Sequence, residues 1–120
     1  MGIGSSNISL VSFEDVQYAT SIPDKYYIIC TLPIQEVAGL IPGTLPLSQE
    51  EHLINLALSK NKTKDIHIII YGKHLKDETT MRKYTQLKQL GFCHIHIYQG
   101  GLFEWLLLQD IYGEQSFPTT

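Results

Sequence analysis

Residues 66–92 constrain this chain more than any other stretch. Ile66, Ile68, Ile69, Ile70 and Tyr71 make a β-branched and aromatic run, the composition of a strand buried on both faces. Gly72-Lys73-His74-Leu75-Lys76 breaks the run. Asp77 then stands where a side chain can cap a helix by accepting from its orphan N–H groups. Met81, Tyr84, Leu87 and Leu90 recur at helical spacing, and Gly91 supplies a permissive backbone for the stop. A strand that feeds a helix through a short polar loop leaves unpaired N–H groups at the strand's carboxyl end, a place suited to an anion or a nucleophile. The first loop position therefore decides much of the chemistry. Here it is Gly72.

The rest of the chain arranges itself around that unit. Residues 1–7 read as a flexible start and 8–120 as one domain, with a tail over about 109–120 laid on the surface. Residues 8–11 suit an edge strand or an entry segment. Ser12 with Asp15 suggests a capping box for a short helix whose inner face is Phe13, Val16 and Ala19. Residues 26–31 read as a buried strand. Residues 32–47, punctuated by three prolines and two glycines, read as loop with a helical turn at 34–38. Ser48 with Glu51 predicts a second capped helix with Leu53, Leu56, Ala57 and Lys60 along one face. Residues 94–98 form a further strand, and the apolar run 102–108 after Gly100-Gly101 a buried helix. Three adjacent leucines, 106–108, cannot share one side, so at least one is exposed or covered by residues 111–117 or by a partner. Strands alternating with helices imply an α/β fold with a mostly parallel sheet and helices on both faces.

Charge and composition exclude several roles. A net charge of −3 and a pI near 5.9 argue against a nucleic-acid binder. His94 and His96 share one strand face and read as a polar strand surface, with no metal and no cofactor expected. Cys30 and Cys93 make no disulfide framework, and no apolar run approaches membrane-spanning length, so a cytoplasmic location is expected. Met1-Gly2-Ile3-Gly4-Ser5-Ser6 fits the N-myristoylation pattern. Gly2 is thus a lipidation candidate, and membrane association is expected only if it is acylated. A single chain anchors marginally, and the first twenty residues add no Lys or Arg.

Four landmarks in order resemble the rhodanese-like domain family. Gly39-Leu40-Ile41-Pro42-Gly43-Thr44 is like the family's Gly-His-Ile-Pro-Gly-Ala, and Ile68-Ile69-Ile70-Tyr71 leads into its active loop. Leu87 to Gly91-Phe92 matches the family's Leu-x-x-x-Gly-Phe, and Gly100-Gly101-Leu102-Phe103-Glu104-Trp105 its Gly-Gly-Phe-x-x-Trp. The resemblance implies a rhodanese fold and a site at the loop after the central strand. There the family places a cysteine whose thiolate and persulfide are stabilised by loop N–H groups and a helix dipole. Gly72 occupies that position, and the family's Asp-x-Arg falls on Cys30-Thr31-Leu32. The loop is also a residue or two longer than in a typical sulfurtransferase. The longer loop resembles that of the rhodanese-fold phosphatases, but their cysteine and their arginine before the helix are absent, Asp77 and Glu78 standing there instead.

The resemblance therefore implies a non-catalytic domain that binds a protein or a ligand, the partner being another protein. Two alternatives stand beside it. One is an atypical sulfurtransferase or oxyanion-binding enzyme that uses Cys30 with the 72–79 loop. The other is a membrane-tethered adaptor acylated at Gly2. If the loop holds a small oxyanion, the expected binding residues are Gly72, Lys73, His74, Lys76 and Thr79. Cys30 at the end of a strand is the alternative nucleophile, the simpler reading being a small buried residue. Phe103, Trp105 and Tyr112 are all expected in the core.

Overall fold

The computed structural model describes residues 8–33, 39–74 and 77–120. Gly2, Lys76 and the turn expected at 34–38 lie outside these residues. The elements run β1 (Ser9–Val11), α1 (Phe13–Thr20), β2 (Tyr26–Cys30), α2 (Leu47–Ser59), β3 (His67–Tyr71), α3 (Glu78–Gln89), β4 (His94–Tyr98) and α4 (Gly101–Tyr112). The four strands form one sheet in the order β1-β4-β3-β2, every pair parallel. The expected α/β architecture is thus present, with its carboxyl strand ends along one edge.

β3 lies in the middle because its residues are apolar on both sides. Ile68 and Ile70 join Ile54 and Ala57 of α2 and Tyr84 and Leu87 of α3 in one core. Ile69 and Tyr71 join Val16 and Ala19 of α1 and Leu102 and Trp105 of α4 in the other. Each such side chain removed from water contributes roughly 1.5–3 kcal/mol, which fixes the register against a one-residue slip. Ile41, fully buried, closes the second core, and its backbone N–H donates to the Tyr71 hydroxyl at 3.2 Å. Thr44 Oγ1 lies 2.8 Å from the same hydroxyl, tying the Ile41-Pro42-Gly43-Thr44 turn to the end of β3.

Several details differ from expectation. α2 begins at Leu47 behind Pro46, so Ser48 lies inside the helix, and its buried residues are Ile54 and Ala57. In α3 the inner face is Thr80, Tyr84 and Leu87, while Met81 is 40% exposed. α4 continues to Tyr112, and the segment after it is not simply laid on the surface, since Phe117 is 3% exposed. Trp105 is in the core as expected. Phe103 and Tyr112 are not: they are 63% and 66% exposed, because the helix turns Leu102 and Trp105 inward and leaves Phe103, Leu107 and Ile111 outward, with Tyr112 at its last position. That leaves Leu107 as the exposed member of the leucine triplet.

Candidate functional site

The loop after β3 sits where the carboxyl ends of β2 and β3 meet the amino ends of α3 and α4. Cys30 pairs with Tyr71, and the Thr31 N–H donates to the Tyr71 carbonyl at 3.0 Å, placing Thr31 beside Gly72. The Thr31 hydroxyl reaches Thr79 Oγ1 at 2.6 Å, joining the end of β2 to the first turn of α3. From the other side, the first amides of α4 grip the loop. Leu102 N–H donates to the Gly72 carbonyl and Phe103 N–H to the Lys73 carbonyl, both at 2.9 Å. This approach depends on Gly101, whose φ is +67° and whose Cβ would meet the Gly72 and Lys73 backbone at 2.7–2.9 Å. Beside it, the Tyr98 hydroxyl donates to Glu104 at 2.7 Å.

With its carbonyls held by α4, the loop turns its N–H groups inward onto Asp77. The Lys73 N–H donates to Asp77 Oδ2 at 2.8 Å and the Thr79 N–H to Oδ1 at 3.0 Å. The Thr79 hydroxyl donates to Oδ1 as well. Asp77 is therefore the expected cap of α3 and also the anion held by the loop. Burial works to raise its carboxyl. Hydrogen bonds from the Thr79 side chain and from the Lys73 and Thr79 amides outweigh that, aided by the charge of His74, and hold it below the ordinary carboxylate value.

Gly72 makes room for this arrangement. It is not among the glycines with positive φ, so its backbone would accept another residue. Space would not. A Cβ there would overlap the Asp77 carboxylate and lie 3.0 Å from Thr31 Oγ1. The place of a nucleophile's side chain is filled by the chain's own carboxylate.

The expected oxyanion ligands divide accordingly. Gly72, Lys73 and Thr79 are together, but the amides of Lys73 and Thr79 already serve Asp77. The Lys73 and His74 side chains are exposed. Arg82, one turn beyond Glu78 and not singled out from the sequence, joins Lys73, Asp77 and Thr79 around an open hollow of about 440 Å³. Its position one turn into α3 is the available signal. Tyr98 and Glu104 were likewise passed over, since nothing in their spacing announces a strand-to-helix hydrogen bond.

Cys30 is close in sequence register and wrong in direction. It faces the second core with Tyr71, whereas a Cβ on Gly72 points toward Thr31 and Asp77. Burial pushes its thiol above the usual value, and the charges of Asp77 and Glu50 add to this. A Leu32 amide and the Tyr71 hydroxyl oppose it without reversing it. Cys93 is exposed at the opposite edge, before β4. Among the described residues no group of three or more His, Cys, Asp or Glu is arranged to hold a metal ion, and no helix is long and apolar enough to cross a membrane.

Known proteins bear on this geometry in two ways. No curated protein sequence matches the chain significantly. Among solved structures, a single-domain sulfurtransferase of Saccharomyces cerevisiae superposes with a TM-score of 0.63 at 19% identity, over 88% of this chain and 94% of that one. A Rhodopseudomonas palustris protein of unknown function, described as a possible tyrosine phosphatase, gives 0.63 at 15% identity over 91% and 85%. A rhodanese-like domain from Anabaena gives 0.60 at 23% identity, over 92% of this chain and 77% of that one. At these identities the structures speak for the fold alone. The rhodanese-like domain model matches residues 14–108, from the start of α1 into α4, and so this chain belongs to the rhodanese-like domain family.

Proposed function

We propose that this chain is a non-catalytic rhodanese-like domain that works as a protein-interaction module. The observation that carries the reading is the Asp77 carboxylate, seated on the loop amides in the space a side chain at position 72 would need. Sulfur transfer of the family's kind needs a thiolate at that point, and the local field would have to favour it. Here a fixed negative charge takes the donors instead, and Cys30, with a raised thiol and its side chain in the other core, is a poor substitute.

The remaining asset is surface. Phe103, Leu107 and Ile111 recur every four residues on the outer side of α4 and are 63%, 49% and 62% exposed. Such a stripe on a helix suits contact with another protein. The deciding experiment is cyanide-dependent turnover of thiosulfate. The expected result is a rate no higher than that of denatured protein. Turnover above that level which disappears in Cys30→Ser would replace this reading with the atypical sulfurtransferase.

A further inference from the structure

On the α1/α4 face of the sheet, at the amino ends of β3 and β4, three imidazoles lie side by side. His67 pairs with His94 across the strands, and the rings stack with centroids 4.4 Å apart. The alternation of β4 puts His96 on the same face, its ring nearly parallel to that of His67 at 5.7 Å. His67 Nδ1 and His96 Nε2 point at each other across 3.4 Å. On its far side His96 Nδ1 meets the Ser9 hydroxyl at 2.7 Å. Read from the sequence alone, His94 and His96 were a polar strand surface. The cross-strand partner changes that.

We propose that His67 and His96 form an open binding site for one borderline divalent transition-metal ion, zinc or copper, with water completing the coordination. The distance is the first argument. Two imidazole nitrogens on one tetrahedral zinc, each bonded at about 2.0–2.1 Å, stand about 3.4 Å apart. That is the separation already present. One of these nitrogens now donates to the other; once that proton has left, a χ2 rotation of each ring, a soft torsion, turns both lone pairs to a common point.

Tautomers supply the second argument. If the His96 Nδ1–H donates to the Ser9 oxygen, Nε2 is left with its lone pair toward His67. The proton that the two rings share moves to His67 Nε2, and both ligands stay neutral when the ion enters. A metal-bound histidine usually donates its other ring N–H to an outer oxygen of a carboxylate, carbonyl or water, which fixes its tautomer and orientation; here the Ser9 hydroxyl stands in that place. Both rings are half-buried. His94 stacks on His67 and is not required as a ligand.

The test is titration of the whole chain with zinc chloride at neutral pH, followed by NMR of the imidazole Cε1 protons. The expected result is saturation at one equivalent, with the His67 and His96 signals moving together. His67→Gln and His96→Gln should each weaken zinc more than about a hundredfold, and Ser9→Ala, which removes only a positioning group, by about tenfold. His94→Gln should retain binding. Absence of saturable binding would overturn the site, as would movement of His52 or His74 instead, or unchanged affinity in His67→Gln. Because the wild-type spectrum decides the matter, no variant needs to fold for the proposal to fail.

Discussion

At the scale of single residues, the relation between Gly72 and Asp77 governs the site. Restoring the family's cysteine by Gly72→Cys alone should fail to restore its chemistry, since the new side chain would meet the Asp77 carboxylate. A thiol beside a fixed negative charge is disfavoured as an anion, so its pKa should lie at or above the unperturbed ~8.5. Combining Gly72→Cys with Asp77→Ser keeps a helix cap, frees the Lys73 amide and removes the charge, and the thiol pKa should fall below ~8.5. The measurement is the pH dependence of alkylation in a background lacking Cys30 and Cys93. Equal values in the two variants would mean that Asp77 is not what closes the cradle. Asp77 also makes a prediction for the unaltered protein. A carboxyl held below its unfolded value binds fewer protons in the folded state than in the unfolded one under mildly acid conditions. Its stabilisation is therefore complete above about pH 4 and lost as pH falls through the lowered folded value. The melting difference between wild type and Asp77→Asn should narrow from about pH 7 to about pH 3. A difference that stays constant would remove the carboxylate from the account.

At the scale of elements, the decisive contact is the docking of α4 on the loop. Gly101 is both left-handed and pressed against the Gly72 and Lys73 carbonyls, so Gly101→Ala faces two penalties. A non-glycine residue in the left-handed region costs about 1–2 kcal/mol, and the backbone contact adds to it, so a loss of at least about 2 kcal/mol in denaturant unfolding is expected. A loss below about 0.5 kcal/mol would show that α4 does not need this approach. The strands were legible beforehand because β-branched runs between turn signals have few other uses; β3 and β4 fall within a residue of expectation. Asp77 as cap was legible for the same kind of reason, a polar residue directly before a helical repeat. Helix faces were less so. In α4 apolar residues lie at more positions than one face can bury, and in α3 a threonine takes an inner position, so spacing alone cannot tell that Thr80 goes in while Met81 and Phe103 stay out. Nor could Asp77 be read as the loop's resident anion, because that depends on a backbone fold that brings the Lys73 amide to it.

At the scale of the whole molecule, one parallel sheet separates two cores, and the α1/α4 core is completed by a residue far along the chain. Phe117 packs between Trp105 at 5.1 Å and Phe13 at 5.5 Å between ring centroids. The segment carrying it is fastened at several points. Trp105 Nε1–H donates to the Pro118 carbonyl at 2.8 Å, and Gln109 and Gln17 donate to the carbonyls of Phe117 and Ser116 at 2.7 Å each. Beyond them the Thr120 N–H donates to the Leu40 carbonyl at 2.9 Å, next to the turn that anchors Tyr71. Residues 116–120 thus connect α1, α4 and the 39–44 turn, on the face of the sheet opposite α2 and α3. Phe117→Ala should cost about 3–5 kcal/mol, as for a large buried aromatic whose cavity the neighbours cannot refill. Because Trp105 borders that cavity, its fluorescence should report the loosened packing before global unfolding. The matching change on the outer stripe, Phe103→Ala, should stay within about 0.5 kcal/mol. Should Phe117→Ala cost less than about 1 kcal/mol, this segment would be a surface strap after all, and the α1/α4 core would be complete without it.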